Sequence, residues 1–240
     1  MQENKNDAAE RTRAVRSMFG AIAPTYDTLN RILSFGVDQR WRREMVQKLP
    51  AAGAIKVLDL ACGTGDVSIE ILRARPEAAV FGGDLTLPML KAGLPKIEKA
   101  RMADVITFQA LSAEDLPYKD SAFDAITIAF GIRNVIRRER ALREMARVLK
   151  PEGKLLILDF SMPPNALVRA LYSLYFHRIL PLIGGLISGN MEAYKYLPRS
   201  VEGFPPRETF AKMMEEAGFN DVSHQDFTFG VSTLYEGSKC

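Results

Sequence analysis

Short apolar runs alternate with longer segments of helical periodicity through the middle of the chain. The apolar runs are too short for helices and predict strands at residues 55–61, 79–84, 105–109, 124–129 and 154–160. The segments between the strands carry apolar residues every three or four positions. They predict helices at residues 67–74, 88–103 and 139–149. This alternation indicates an α/β fold built on a parallel, doubly wound sheet.

The segments on either side of this region have different patterns. The N-terminus is polar and charged, which predicts disorder, and a later helical segment is unusually apolar. These patterns divide the chain into five regions. They are a disordered tail (1–12), N-terminal helices over the ligand site (13–50), an α/β core (51–161), an apolar helical cap with the substrate region (162–217) and closing strands (218–240). The closing strands, 222–229 and 232–238, are predicted to pair antiparallel around Gly230. The expected sheet is therefore seven-stranded and mostly parallel.

A glycine-containing turn joins the first predicted strand to the helix that follows it. Gly63 and Gly65 let the backbone approach a ligand closely. Asp84 ends the next strand about 20 residues later, where a carboxylate accepts hydrogen bonds from a ribose diol. This pattern predicts a ligand built on adenosine.

Differences from other nucleotide loops narrow the choice of ligand. A dinucleotide site has a third glycine where Ser68 stands, and Asp66 would compete with a pyrophosphate for the positive helix N-terminus. The turn is not followed by the Gly-Lys-Ser/Thr of a phosphate-binding loop. Three carboxylates suit a ligand with positive charge and no phosphate: Asp59, Asp66 and Asp84. S-adenosylmethionine fits this description.

Ligands bind such sheets at the carboxyl ends of the strands, where the strand order reverses. Residues 112–115 follow the third predicted strand, where adenine recognition is expected. Residues 129–134 follow the fourth, where a methyl donor would meet its acceptor.

Composition excludes several functional classes. The chain has 240 residues and a net charge of +3, which gives no electrostatic reason to expect nucleic acid as a partner. Two cysteines and two histidines, all far apart, suggest neither a disulfide framework nor a metal site. The N-terminus has no apolar signal segment, so we expect a cytoplasmic protein.

Four stretches resemble the ubiquinone/menaquinone biosynthesis C-methyltransferases, within the class I S-adenosylmethionine-dependent methyltransferases. They are residues 26–36 with Trp41 beyond, 59–66, 130–134 and 147–161. The cofactor loop is shared by many methyltransferases, whereas Phe-Gly-Ile-Arg-Asn at 130–134 is peculiar to this family. The resemblance covers nearly the whole chain and implies C-methylation of a polyprenylated quinol. The acceptor would be demethylmenaquinol or the equivalent ubiquinone precursor.

The resemblance also implies site residues. Those expected to contact the cofactor by motif are Thr64, Asp84, Ser112, Ala113 and Ala129, beside Gly63 and Gly65 of the turn. The family commonly has Asn at position 112 and Ser at position 129. At four further positions this chain departs from the residue that is usual in the family: Leu29, Asp38, Glu152 and Asp159. Because Asp38 stands where a histidine is usual, a histidine proton carrier is not expected there.

Methylation of an aromatic carbon requires an electron-rich ring, which a hydroquinone provides once a hydroxyl loses its proton. We expect Arg133 to stabilise that phenolate, since an arginine is a poor general base, and Asn134 and Tyr26 to hold ring oxygens. The alternatives are an ion pair at the sheet edge for Arg133 and a core position for Tyr26. No metal is required.

Residues 166–187 are rich in leucine, isoleucine and aromatic residues, but their charges, Pro181 and paired glycines argue against a transmembrane helix. They predict either a buried cap helix or a surface that receives an isoprenoid tail and rests on the inner face of the membrane. A homodimer is left open. Two other functions are also left open: methylation of another small-molecule or lipid acceptor, and a non-catalytic binding module.

Overall fold

The computed structural model describes residues 5–51, 53–182 and 191–240. One sheet contains the strands β1 Lys56–Leu60, β2 Ala79–Asp84, β3 Ile106–Ala110, β4 Phe123–Ala129, β5 Leu149–Phe160, β6 Phe219–Phe227 and β7 Ser232–Lys239. Their order across the sheet is β3-β2-β1-β4-β5-β7-β6. Pairs among β1 to β5 are parallel, whereas β7 is antiparallel to both of its neighbours. The predicted doubly wound, mostly parallel, seven-stranded sheet is confirmed.

Helices cover both faces of this sheet. They are α1 Lys5–Ile22, α2 Tyr26–Leu33, α3 Val37–Gln47, α4 Asp66–Ala74, α5 Leu87–Lys99, α6 Arg138–Val148, α7 Ala166–Leu174, α8 Met191–Glu202 and α9 Arg207–Glu216. A π-helical turn, Tyr175–Ile179, continues α7. Alternate residues of β1 enter opposite cores: Leu58 packs with α6 and α9, and Val57 packs with α3, α4 and α5.

Three of the boundaries that differ from those expected have a clear physical reason. The helix α1 begins at Lys5, inside the predicted disordered tail 1–12, because Ala8 buries its side chain and contributes to the wall of a cavity. The helix α6 ends one residue early, because Leu149 already pairs with Phe123. The predicted turn at 150–153 therefore forms an irregularity within β5, with Glu152 at φ 61°.

The predicted cap 162–217 divides between two parts of the fold. Phe210 and Met214 of α9 are fully buried in the sheet core, so α9 belongs to the α/β layer. Tyr172 and Phe176 instead pack in a separate apolar cluster with the N-terminal helices. Residues 183–187 of the apolar stretch lie outside the described residues. Within the described ranges, no helix combines the length and apolarity needed to cross a bilayer.

Candidate active site

The backbone is strained where two adjacent strands end. Ala61 follows β1 and Phe130 follows β4, and both are left-handed, with φ of 49° and 57°. Such a conformation costs a residue with a side chain about 1–2 kcal/mol, and strain of this kind concentrates at functional sites. A Cβ on Gly131 would lie 2.4 Å from the Cβ of Ala61, so glycine is required where these two strand ends approach each other.

Asp84 presents its carboxylate at the end of β2, beside this strained region. Its Oδ2 accepts a hydrogen bond from the backbone N–H of Gly63 at 2.9 Å, and its Oδ1 accepts one from the N–H of Thr86 at 2.7 Å. Burial raises the pKa of the Asp84 carboxyl, and the two backbone N–H groups partly oppose this rise. The Thr86 side chain also donates to this carboxylate, which has about four acceptor positions, so acceptor capacity remains for a ligand hydroxyl.

A cavity of about 410 Å³, here called the nucleotide cavity, lies over these strand ends. Seven of the predicted site residues line it: Tyr26, Gly63, Asp84, Ser112, Ala113, Ala129 and Asn134. The helix α1 contributes Ala8, Thr12 and Phe19 to its wall. A buried carboxylate with spare acceptors in a largely apolar cavity suits the ribose and adenine of S-adenosylmethionine.

Two of the predicted cofactor residues, Thr64 and Gly65, lie outside the lining of the nucleotide cavity. The Thr64 hydroxyl donates to Asp27 at 2.6 Å, and Lys96 Nζ donates to Thr64, Asp27 and Asp66 at 2.9, 2.7 and 2.6 Å. This Lys96 network joins the glycine turn to α2, α4 and α5. Thr64 therefore contributes to the position of the turn, and Asp66 is neutralised by a lysine of the protein itself.

Asp59 has a structural role in the sheet. Its carboxylate accepts hydrogen bonds from the hydroxyls of Ser68 and Thr127 at 2.6 and 2.9 Å, and burial raises its pKa to about 6. Of the three carboxylates expected to face a cationic ligand, only Asp84 lines the nucleotide cavity.

A second cavity, of about 380 Å³, adjoins the first and is called the aromatic cavity. Ten aromatic side chains line it: Phe19, Tyr26, Phe35, Trp41, Phe130, Phe160, Tyr172, Tyr175, Phe176 and Tyr196. Phe19, Tyr26 and Phe130 line both cavities. A ligand in the nucleotide cavity and an aromatic molecule in the second one would therefore meet at these three rings.

Arg133 lines the aromatic cavity and is also held in a buried ion pair. Asp159, which is fully buried, accepts from the backbone N–H of Arg133 at 3.1 Å and from its Nη1 at 2.6 Å. Nη1 also donates to the Phe130 carbonyl, and Nε donates to Ser200 at 3.3 Å. Burial disfavours this cation, but the Asp159 carboxylate, together with Tyr26 and Tyr196, outweighs burial and raises the pKa of Arg133. Arg133 therefore forms an ion pair, as in the alternative interpretation, and it also lines the aromatic cavity; stabilisation of a phenolate stays a prediction.

The sequence of this chain is similar to those of known methyltransferases. The model of the ubiE/COQ5 methyltransferase family matches residues 4–239. The chain belongs to this family. It is 52% identical to the ubiquinone/menaquinone biosynthesis C-methyltransferase UbiE of Syntrophotalea carbinolica, over 93% of both chains. It is 48% identical to the demethylmenaquinone methyltransferase of Thermus thermophilus, over 92% of this chain and all of that one.

A solved structure of an Aquifex aeolicus SAM-dependent methyltransferase shares the fold, with a TM-score of 0.58 and 16% identity over 83% of this chain and 89% of that one. The protein is therefore an S-adenosylmethionine-dependent C-methyltransferase with the class I fold.

Tyr26 lines both cavities, and Asn134 lines the nucleotide cavity and bonds to Tyr196 of the aromatic cavity. Burial raises the pKa of Tyr26, and the nearby charge of Arg42 opposes the rise, so the phenol stays protonated at neutral pH. The Asn134 carbonyl oxygen accepts from the hydroxyl of Tyr196 at 3.0 Å. Its Nδ2 makes only a long contact, 3.4 Å, with the Phe130 carbonyl, so it keeps donor capacity for a ligand.

Asp38, the departure from the usual histidine of the ubiE/COQ5 family, is buried in the wall of the aromatic cavity. It accepts from the Ser34 hydroxyl at 2.6 Å and forms an ion pair with Arg42. A carboxylate and an arginine therefore replace an imidazole at this point of the cavity.

Reasoning from the sequence missed three residues of the site. The sequence patterns place Lys96 within the predicted helix 88–103 and Tyr172 within the apolar stretch 166–187. They mark Asp159 only as a departure from the family. A signal for Asp159 is present, since it is a charged residue at the carboxyl end of an apolar strand that neighbours β4. No local pattern indicates the role of Lys96, because its partners come from α2 and from both ends of the glycine turn.

Proposed function

We propose that this protein transfers a methyl group from S-adenosylmethionine to a ring carbon of a polyprenylated quinol. Demethylmenaquinol, which becomes menaquinol, is the favoured acceptor, and the equivalent ubiquinone precursor is the second candidate. The names of the relatives, a ubiquinone/menaquinone biosynthesis C-methyltransferase and a demethylmenaquinone methyltransferase, support both acceptors. The observation that carries the proposal is the pair of adjoining cavities, one lined by Asp84 and the other by aromatic rings and Arg133.

When bound, the cofactor supplies an electrophilic methyl group on a sulfonium. Asp84 accepts hydrogen bonds from the ribose hydroxyls, which its free lone pairs allow. The other residues of this binding site are Gly63, Ser112, Ala113 and Ala129, and Thr64 and Gly65 hold the turn that carries Gly63. Phe19 and Phe130 exclude water from the junction of the cavities, which strengthens electrostatic interactions there.

Arg133 stabilises the phenolate that makes the ring carbon nucleophilic. Its Nε and Nη1 hold protein partners, and no residue in the described ranges accepts from Nη2, which therefore remains as a donor to the ring oxygen. Because Asp159 fixes the guanidinium, little reorganisation is needed as negative charge develops. Tyr26 and Asn134 donate to the same oxygen and complete its environment.

The isoprenoid tail leaves the aromatic cavity between α7 and the turn that joins α2 to α3. Leu171 of α7 and Phe35 of the turn both line the cavity and are 61% and 83% exposed. Leu167 and Leu174 are also exposed and share the face of Leu171, since they lie four and three residues away. This apolar face lies on the inner surface of the membrane and receives the tail from it. The homodimer stays a prediction.

A methyl-transfer assay tests the proposed function. Labelled S-adenosylmethionine would be incubated with reduced demethylmenaquinone or with the reduced ubiquinone precursor. We expect label on demethylmenaquinol. Trp41 is the single tryptophan and lines the aromatic cavity, so binding of either quinol should quench its fluorescence. Quenching without transfer to either quinol would point to another acceptor, and cofactor binding with no quenching would remove the quinol from the proposal.

Membrane contact is tested with Leu167→Glu/Leu174→Glu. Two charges on the exposed face of α7 should lower binding to phosphatidylglycerol-containing vesicles at least about tenfold, since each buried leucine contributes about 1–3 kcal/mol. Transfer to an acceptor with a short, water-soluble tail should be unchanged. The matched control is Leu94→Glu, an exposed leucine of α5. Equal loss of vesicle binding in both variants would exclude α7 as the contact.

A further inference from the structure

Lys96 of α5 lies outside the lining of both cavities, yet its ammonium group bonds to the neighbours of residues that line them. Nζ donates to the Thr64 hydroxyl of the glycine turn, to Asp27 of α2 and to Asp66 of α4, at 2.9, 2.7 and 2.6 Å. A lysine ammonium has three protons, and each has an acceptor here. Three elements that carry different parts of the site are therefore held at one point.

The helix α5 approaches the glycine turn closely where Gly93 faces it. A Cβ on Gly93 would lie 2.7 Å from the Thr64 carbonyl oxygen, so a larger residue would push the helix away from the turn. Lys96 lies three residues further along α5, on the same face. The side chains of Lys96, Asp27 and Asp66 are 24%, 27% and 23% exposed, so water screens their ion pairs only in part.

The first turn of α2 has no side-chain cap. The hydroxyl of Thr25, the N-cap residue, donates to a backbone carbonyl of α1 at 3.3 Å and caps no N–H group of α2. Asp27 in this first turn accepts instead from Lys96 and from the Thr64 hydroxyl, the latter at 2.6 Å. A tertiary contact therefore holds the first turn of α2, which also carries Tyr26.

Tyr26 is the residue through which this contact reaches the site. Its ring lines both cavities and packs on the glycine turn, since a Cβ on Gly63 would lie 4.0 Å from its Cε1. The residues that follow these two along the chain, Asp27 and Thr64, are bonded to each other and to Lys96. Where the two segments meet, a cofactor on one side faces an acceptor on the other.

The third bond of Lys96 extends the network to another wall residue of the aromatic cavity. Asp66 also forms an ion pair with Arg42 Nη1 at 3.6 Å, and the Arg42 guanidinium lies 5.2 Å from the ring centre of Phe130. Burial disfavours the charged form of this carboxyl, but three nearby cations, Arg42, Lys96 and Arg31, outweigh burial and lower its pKa. The network therefore joins the glycine turn with two wall residues of the aromatic cavity.

We infer that Lys96 is a positioning residue for methyl transfer, which fixes Tyr26 and the acceptor ring beside it at the reacting distance from the cofactor. This inference rests on the proposed function. The glycine turn has anchors of its own, because the backbone N–H groups of Gly63 and Cys62 bond to β2 at 2.9 and 3.2 Å. Loss of Lys96 should therefore displace α2 more than the turn, and impair the reaction more than cofactor binding. A displacement of about 1 Å can lower a rate about 100-fold.

Lys96→Met tests the inference, since it removes the ammonium group and keeps most of the side-chain length. We expect kcat to fall about 10- to 100-fold, while the affinity for S-adenosylmethionine in calorimetric titration changes less than about threefold. The melting temperature should fall by less than about 5 °C, because ion pairs that are partly exposed contribute little to stability. Lys96→Arg keeps the charge and should recover most of the loss in kcat. The matched control is Lys99→Met, at an exposed position of the same helix, which should leave kcat unchanged.

Hydrogen exchange reports the displacement directly. Exchange in residues 23–33 should be faster in Lys96→Met than in the wild type, while exchange in residues 57–69 stays the same. An unchanged kcat would overturn the inference, as would a loss of cofactor affinity as large as the loss in kcat, or an equal effect of Lys99→Met. If the wild type transferred label to no quinol, the proposed function would fail, and hydrogen exchange would still decide whether Lys96 holds α2. Unchanged exchange in residues 23–33 would overturn the inference in either case.

Discussion

Arg133→Ala should abolish methyl transfer and also weaken the fold. We expect kcat to fall at least about a hundredfold, because a fixed donor to a developing anion contributes roughly 3–4 kcal/mol. The free energy of unfolding should fall by about 3–5 kcal/mol, because Asp159 would be left charged, unpaired and fully buried. Cofactor affinity should change little, since Arg133 does not line the nucleotide cavity. Denaturant unfolding, calorimetry and the labelled transfer assay measure the three effects.

The double variant Arg133→Met/Asp159→Asn separates catalysis from stability. It removes both buried charges, and asparagine keeps one of the two oxygens that accept from the backbone N–H groups of Arg133 and Phe160. Stability should return to within about 1–2 kcal/mol of the wild type, while transfer stays at the level of the single variant. Arg147→Ala, which breaks ion pairs with Glu144 and Asp120 away from both cavities, should leave kcat unchanged. Recovery of transfer in the double variant would remove Arg133 from the reaction.

Asp84→Asn should weaken binding of S-adenosylmethionine by about 10- to 100-fold, because hydrogen bonds to a charged acceptor contribute about 1.5–3 kcal/mol. The kcat at saturating cofactor should fall less than about tenfold, since Asp84 lies in the cofactor site and the acceptor binds in the other cavity. Calorimetric titration measures the affinity. Asp59→Asn is the matched control: this carboxylate is also buried, on the adjacent strand, but lies outside the cavity lining. Equal weakening in both variants would assign the effect to the sheet.

The fold could be predicted because its signals are local. Apolar runs of strand length, separated by amphipathic helices, allow few arrangements other than a parallel sheet. The glycine turn and the position of Asp84 follow from the same logic, because the carboxyl ends of adjacent parallel strands meet at one edge. The N-terminal boundary was predicted wrongly. The polar pattern of α1 does not show that Ala8 is buried at a cavity wall that distant strands form.

The sequence by itself determined the order of strands and helices along the chain and the family. It also determined that Gly63, Asp84 and Phe130 lie at strand ends, near the point where the strand order reverses. Only the tertiary structure decided that Asp159 pairs with Arg133 and that two cavities meet at the rings of Phe19, Tyr26 and Phe130. Periodicity reports which face of an element is buried, because it depends on neighbours along the chain. Pairing and the walls of a cavity depend on which groups packing brings together from distant parts of the chain, and the pattern of one segment does not encode that.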